Sequence, residues 1–69
     1  MVIIIEILIY YRRIEKEMTL MELYKKTGIS KSALQNYESN LRFPNMIQME
    51  KLAIALKVRI SDLFESEYK

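Results

Sequence analysis

The chain has 69 residues, a mass of 8.3 kDa and a formal net charge of +2, which suits one small domain with one core. It contains no cysteine and no histidine, so disulfides, thiolate chemistry and the commonest general base and metal ligand are excluded. One glycine and one proline are too few for the turns of a β-sandwich or barrel.

The first eleven residues are apolar apart from Glu6. They are too few to cross a bilayer, which takes about 20 apolar residues, and they lack the basic start and cleavage site of a signal peptide. Without a targeting signal or cysteine, the cytoplasm is the expected location. The β-branched run could form a strand, but apolar residues at helical spacing farther along predict a first helix from about Ile4 to Lys16.

The positive charge lies in the middle of the sequence. Residues 12–42 carry a net charge of +3, whereas residues 43–69 are balanced. Arg12, Arg13 and Lys16 are either a basic rim near phosphates or solvated helix charges paired with nearby glutamates. The charge pattern by itself leaves both interpretations open.

A second helix has clear local start and stop signals. Thr19 and Glu22 fit a capping box, in which the hydroxyl accepts from a free backbone N–H and the carboxylate reaches back. The helix is predicted from about Leu20 to Lys26, because Gly28 follows where a left-handed backbone ends a helix at least cost.

Three further helices are predicted after the glycine. Ser30 can cap a third helix that runs to about Glu38. A second capping box, Asn45 to Gln48, opens a fourth helix that ends near Leu56. A short final helix begins at Arg59 or Ser61 and continues through Phe64.

The second and third helices, joined by the glycine turn, form a helix-turn-helix. Leu23, Ile29, Leu34 and Tyr37 are placed to pack the two helices together, which leaves the other face of the third helix outward. That outward face consists of Lys31, Ser32, Gln35, Asn36 and Ser39. Asparagine and glutamine can bond adenine edges, and lysine can donate to guanine. An amphipathic helix of any function also has a polar outer face, so periodicity alone leaves both interpretations open.

Residues 19–64 resemble a Cro/C1-type (XRE-like) helix-turn-helix domain, in order and without gaps. The motifs that carry this resemblance are Thr19, Glu22 and Leu23, then Gly28-Ile29-Ser30, Ser32, Leu34, Tyr37 and Glu38, then Arg42 and Pro44, and finally Lys51-Leu52-Ala53, Ala55-Leu56, Val58 and Asp62-Leu63-Phe64. The resemblance implies an all-α fold, a compact five-helix lambda-repressor-like DNA-binding domain spanning residues 1–69. The role of the apolar residues 1–11 stays undecided.

The resemblance also implies which residues meet DNA. The base contacts would come from Lys31, Ser32, Gln35 and Asn36. Phosphate contacts would come from Thr19 and Leu20, through backbone N–H groups at the helix start, and from Ser39, Asn40 and Arg42 in the loop after the third helix. Glu38 is expected to anchor the end of the third helix, because a carboxylate facing DNA would be repelled.

Several positions depart from the family pattern. Leu20 replaces a frequent phosphate-binding glutamine, so only the backbone contact is expected there. Tyr24 replaces a small residue and must either lie at the rim or push the helices apart; its hydroxyl could also reach the DNA backbone. Asn40 and Glu17 stand where glycine is common, and asparagine tolerates the same left-handed backbone.

The apolar surplus predicts self-association. The inner stripe of the fourth helix is expected to be Met46, Met49, Leu52, Ala53 and Leu56. Ile47 and Ile54 lie off this stripe, and a domain of this size cannot bury them together with Ile3, Ile4 and Ile5. We expect these five isoleucines to form a homodimer interface, unless the N-terminal segment covers its own fourth helix. A symmetric dimer favours a palindromic operator.

The sequence therefore predicts a small cytoplasmic transcriptional regulator, most simply a repressor, that binds double-stranded DNA. We expect no enzymatic activity, no metal or other cofactor, no membrane association and no small-molecule ligand, because the chain offers no residues for such sites. An alternative is a protein-interaction module, such as an antitoxin-like partner that keeps the fold. A weaker one is an architectural factor that bends DNA.

Overall fold

The computed structural model describes residues 4–69. Its elements in chain order are strand β1 (Glu6–Ile7), helices α1 (Ile9–Glu15), α2 (Leu20–Thr27), α3 (Lys31–Glu38) and α4 (Met46–Leu56), a 3₁₀ turn (Ile60–Leu63) and strand β2 (Phe64–Glu65). The three helices after the first lie within a residue of the predicted bounds, because each begins at a side-chain cap that the sequence displays.

Glu6 and Ile7 form strand β1, so the prediction of a helix from Ile4 is wrong for its first turn. β1 pairs antiparallel with β2, with Ile7 opposite Phe64. The Leu8 N–H donates to the Leu63 carbonyl at 2.8 Å. Consecutive isoleucines favour extended backbone, and pairing with the chain's other end buries Ile7, so α1 begins only at Ile9.

The prediction of five helices is also corrected, because the described residues contain four α-helices. Residues Ile60–Leu63 form one 3₁₀ turn, and the N–H of Arg59, the residue before it, donates to the Asp62 carboxylate at 3.0 Å. Phe64 then adopts an extended backbone to pair with β1, so the turn cannot continue as a helix. The fold is mainly helical with one short strand pair.

The core lies where α2, α3 and α4 meet. The four residues predicted to pack α2 against α3 are all buried, and these are Leu23, Ile29, Leu34 and Tyr37. α4 buries Met49, Leu52, Ala53, Ala55 and Leu56, but Met46 is 67% exposed, which contradicts its predicted place on the inner stripe. It is the first residue of α4 and lies beyond the end of the packed surface. Ile7, Ile9 and Leu63 close the core at the strand end.

Both predicted capping boxes are present. Thr19 Oγ1 accepts from Glu22 N, and Asn45 Oδ1 accepts from Gln48 N at 2.8 Å. Gly28 ends α2 with a φ of +74°, as its position predicts. Three helix ends adopt the same left-handed region without glycine, and they are Glu17, Asn40 and Lys57.

Candidate nucleic-acid interface

The N-terminus of α2 presents free backbone donors. The Thr19 N–H donates to Glu22 Oε1 at 3.1 Å, and the Glu22 N–H donates to Thr19 Oγ1 at 3.1 Å, so the capping box uses these two groups. Within the described residues, the N–H groups of Leu20 and Met21 have no protein acceptor. The hydrogen bond from the Thr19 backbone lowers the pKa of Glu22, with help from the Thr19 hydroxyl and nearby lysines. The Leu20 amide is therefore free to donate to a partner at the helix start, and its contact with a phosphate stays a prediction.

The turn between α2 and α3 is fixed by side chains on both sides of Gly28. The Thr27 hydroxyl donates to the Leu23 carbonyl at 2.8 Å and accepts from the Ile29 N–H at 3.1 Å. Ser30 Oγ accepts from the Ala33 N–H at 3.2 Å and caps α3. Thr27 is buried, and its role was missed because a threonine at a helix end has no distinctive sequence signal.

The outward face of α3 gathers the four predicted base-contacting residues. Lys31, Ser32 and Gln35 are exposed, and Asn36 is half-buried, while Leu34 and Tyr37 point into the core. Among residues 4–69, no protein group forms a side-chain hydrogen bond with any of these four. Their donors and acceptors therefore remain available to a partner outside the chain.

The C-terminal end of α3 is anchored by an ion pair that the sequence did not predict as such. Arg13 Nε donates to Glu38 Oε2 at 2.7 Å, and Arg13 Nη2 donates to Glu38 Oε1 at 3.1 Å. The two side chains are only 12% and 10% exposed, and the bond to Glu38 raises the pKa of Arg13. Arg13 also donates to the Met18 carbonyl at 3.0 Å. The expectation that Glu38 is an anchor is confirmed. Arg13 is neither part of a basic rim near phosphates nor a solvated helix charge, because it forms a poorly exposed ion pair with Glu38.

The loop after α3 leaves the helix through a left-handed Asn40. The Asn40 N–H donates to the Tyr37 carbonyl at 3.1 Å, and the Leu41 N–H donates to the Asn36 carbonyl at 2.9 Å, as in a Schellman ending. The Asn40 side chain reaches β1, where Oδ1 accepts from the Ile7 N–H at 2.7 Å and Nδ2 approaches the Ile7 carbonyl at 3.5 Å.

The three residues predicted to contact phosphate in this loop differ in whether their side chains are already engaged in the fold. Ser39 and Arg42 are exposed, and within the described chain their side chains have no hydrogen-bond partner. Asn40 would have to release Ile7 before its amide could bind a phosphate. Its predicted contact stays a prediction, in competition with an observed structural role.

Tyr24 and the isoleucines of the predicted interface lie at the surface. Tyr24 is 40% exposed at the rim of α2, so it does not separate the helices by being buried between them. Ile4 is 63% exposed, Ile47 is 71% exposed and Ile54 is 70% exposed, while Ile5 is just over one-third exposed. Ile3 lies outside the described residues. The alternative in which the N-terminal segment covers α4 is not realised by Ile4, because this side chain and both α4 isoleucines remain open to solvent.

The described part of the chain holds neither an acidic cluster fit for a metal ion nor a membrane-spanning helix. Among residues 4–69, no three acidic side chains lie close enough together to hold a metal ion. None of the four α-helices described here combines the length and the apolar character needed to cross a bilayer.

Comparison with known proteins identifies the family of the chain and shows that solved structures share its fold. A family model described as helix-turn-helix matches residues 9–63, which is more than half of the chain. The fold is similar to the crystal structure of a Bacteroides fragilis protein to which DNA binding has been ascribed. The TM-score is 0.84 at 24% sequence identity, and the match covers 90% of this chain and 100% of that one. No curated protein matches the sequence.

Proposed function

Because the chain belongs to the Cro/C1-type helix-turn-helix family, we propose that it binds double-stranded DNA as a transcriptional regulator, and more narrowly as a repressor. The observation that carries the proposal is the outward face of α3. Four polar side chains lie together there without side-chain hydrogen-bond partners in residues 4–69, and the Leu20 and Met21 amides at the start of α2 have no protein acceptor there either. A polar face of this composition fits the edges of base pairs.

In the proposed complex α3 enters the major groove. Gln35 and Asn36 carry amides that can pair with adenine, Lys31 can donate to guanine, and Ser32 can serve either base. These short side chains start from a rigid helix, since Leu34 and Tyr37 are buried beneath them. Such contacts supply sequence discrimination of about 1–3 kcal/mol for each good bidentate pair.

Phosphate contacts hold the domain in register. The Leu20 amide, with Thr19 beside it, approaches one phosphate at the positive end of α2. Ser39 and Arg42 approach the backbone from the loop after α3, and Asn40 joins them only if it leaves β1. These contacts position the protein, and they make its affinity fall as salt concentration rises.

Repression would follow from occupation of the operator, which excludes polymerase from the same DNA. The proposal includes no catalytic step, cofactor or small-molecule ligand, and it places the protein in the cytoplasm with the DNA. The alternative of a protein-interaction module needs a surface away from α3, and one such surface is considered below.

We further propose that two copies bind a palindromic operator. Ile4, Ile5 and Ile47 are exposed and apolar, which supports an interface that a second copy would cover. A symmetric pair would place two α3 helices about 34 Å apart, one turn of DNA. Sedimentation at tens of micromolar should show a dimer, which Ile47→Ser should weaken. Leu41→Ser removes an exposed apolar side chain outside the interface and should leave the dimer unchanged. A clean monomer for the natural chain contradicts this part of the proposal.

The decisive test of DNA binding is selection of duplexes from a random pool at a stated salt concentration. An enriched palindrome is expected, and the triple variant Lys31→Ala, Gln35→Ala, Asn36→Ala should lose about a hundredfold or more in affinity for it. The circular dichroism of that variant should remain that of the natural chain, since these side chains make no bonds within the described fold. Lys51→Ala removes one positive charge on α4 and serves as the control. Equal affinity of the triple variant and the natural chain would refute the assignment of base contacts.

A further inference from the structure

A groove lies between the C-terminal halves of α2 and α4, away from the polar face of α3. Lys26, Lys51 and Lys57 surround Ile54 and Ala55, and the groove has a volume of about 480 Å³. A smaller concavity of about 190 Å³ shares Lys26, Lys57 and Ala55 and adds Lys16 to the rim. We call the combined surface the lysine groove, defined by Lys16, Lys26, Lys51 and Lys57 around Ile54 and Ala55.

The four lysines that define the lysine groove form no ion pair within the described chain, although Lys26 is near enough to Glu22 to help lower the pKa of that carboxylate. In residues 4–69, none of its four lysines has a carboxylate oxygen within 4.0 Å, whereas Arg12, Arg13 and Lys69 each pair with a glutamate. Four of the chain's 11 basic residues therefore lie around one apolar floor. A concentration of one sign of charge beside exposed apolar surface attracts a partner with the opposite sign and apolar groups of its own.

Lys57 adds a backbone observation. It ends α4 with a φ of +56°, in the left-handed region where glycine is the least costly residue. A lysine there is less favourable for the fold than a glycine would be, yet it places an ammonium group on the rim of the groove. A residue kept in a costly conformation at a surface site is a reason to look for a function of its side chain.

The composition of the groove distinguishes among possible occupants. A second copy related by a two-fold axis through Ile54 would bring the same lysines face to face, and like charges across an interface are unfavourable. Ile54 is therefore left out of the dimer interface that the sequence predicted, and the proposed dimer uses the other exposed isoleucines. Duplex DNA would satisfy the lysines but would leave Ile54 exposed, and no residue of α3 lines the groove. An acidic peptide with apolar side chains satisfies both the rim and the floor.

We propose that the lysine groove binds an acidic, partly apolar peptide segment of another protein. Carboxylates of the segment pair with Lys26, Lys51 and Lys57, and an apolar side chain covers Ile54. The lining comes from α2, α4 and the end of α1, so the partner and an operator can be held at the same time. The protein would then bring a second protein to its DNA site.

The experiment uses the full chain and a phage-displayed library of random peptides. Peptides enriched on the immobilised chain are synthesised with a fluorophore, and their Kd is measured by fluorescence anisotropy at several salt concentrations. We expect enriched sequences that combine aspartate or glutamate with apolar residues, and an affinity that falls with added salt. Lys26→Glu with Lys51→Glu should weaken their binding about tenfold or more.

A matched control has the same change in net charge. Lys25 and Lys31 are exposed and do not line the groove, so Lys25→Glu with Lys31→Glu should leave peptide affinity within about twofold of the natural chain. On a random-sequence duplex the order should reverse. Lys25→Glu with Lys31→Glu should lose more affinity for the duplex than Lys26→Glu with Lys51→Glu, because Lys31 belongs to the face proposed to meet DNA. This crossed result separates the peptide site from the DNA site, and the peptide measurement stands even if no operator is found.

Lys57→Gly separates the fold from the function of the groove. It should raise Tm by about 4 °C, because glycine adopts the left-handed backbone at lower cost, and weaken peptide binding about threefold. The proposal is overturned if the selected peptides are not enriched in aspartate or glutamate. It is also overturned if both double variants lose the same amount of peptide affinity. It is also overturned if Lys26→Glu with Lys51→Glu lowers duplex affinity more than the control pair, or if this variant dimerises more strongly than the natural chain.

Discussion

The two ends of α3 are held in different ways. At its start, the stabilising groups lie within a few residues: Ser30 caps the Ala33 N–H, and Gly28 supplies the left-handed turn. At its end, the partners come from distant parts of the chain. Arg13 forms an ion pair with Glu38, and the Tyr37 hydroxyl donates to Gln48 Oε1 at 2.9 Å. The Ile7 N–H donates to the side chain of Asn40, just past the helix.

This difference shows how a short helix can be presented rigidly to a partner. Local caps fix the first residue of α3 and its angle to α2. Contacts from α1, α4 and β1 fix the position of its C-terminal end. Damage to the distant contacts should therefore cost more stability than damage to the local ones, and substitutions at each end can test this ranking.

The largest loss is expected from Arg13→Met. The substitution leaves the poorly exposed Glu38 carboxylate without its partner and removes the donor to the Met18 carbonyl. Urea unfolding should show a loss of about 3 kcal/mol in the free energy of unfolding. Adding Glu38→Leu should recover most of this loss, because an apolar pair of similar volume replaces the ion pair. A loss below about 1 kcal/mol for Arg13→Met would show that the end of α3 does not depend on it.

Asn40 comes next, and two substitutions divide its contribution. Asn40→Ala loses the bonds to Ile7 and puts a Cβ-bearing residue less suited to a φ of +59° at the helix end, so about 2 kcal/mol should be lost. Asn40→Gly keeps the backbone and loses only the bonds, about 1 kcal/mol. Thermal unfolding gives both values, and hydrogen exchange at the Ile7 amide should accelerate in each variant. Equal losses would mean that the left-handed backbone contributes nothing.

The local end should respond less. Gly28→Ala places a Cβ where no atom lies within 4 Å, so only the φ of +74° opposes it. A loss of about 1 kcal/mol is expected in the free energy of unfolding. Gly28→Asn should cost less than the alanine variant, because asparagine tolerates this backbone better. A loss for alanine as large as that of Arg13→Met would reverse the ranking of the two ends.

The smallest effect concerns acid stability at the start of α2. Glu22 has a pKa below its ordinary value of 4.5 because its carboxylate accepts the Thr19 N–H. Its contribution is complete above the ordinary pKa and is lost as pH falls through the lowered one. Glu22→Gln keeps the shape of the capping box, so unfolding midpoints measured against pH should fall less steeply below about 4.5. An unchanged slope in Glu22→Gln would contradict this role of the carboxylate.

The sequence was most informative where structure depends on neighbours. The caps at Thr19, Ser30 and Asn45 predicted the starts of three helices. The helical periodicity of apolar and polar residues predicted which face of α3 is buried. The same periodicity placed the candidate base contacts on one exposed face, although their contact with DNA stays a prediction.

Long-range pairing explains the errors. The isoleucine run is compatible with a strand or a helix. It forms a strand because Glu6 and Ile7 pair with Glu65 and Phe64, which lie far along the chain. The ion pair of Arg13 with Glu38 spans 25 residues, and no local pattern links one arginine of an adjacent pair to a particular glutamate. The groove around Ile54 likewise depends on how α2 and α4 cross.

The hydrogen bonds between Ile7 and Asn40 have a practical consequence for handling the protein. Asn40 lies two residues before Arg42, so the backbone of β1 is joined to the loop expected to meet phosphate. A substitution that breaks this link, such as Asn40→Gly, would therefore also be recorded as altered affinity for DNA in the proposed complex. Affinities measured on variants of β1 should be read together with hydrogen exchange at the Ile7 amide, which reports whether this junction is intact.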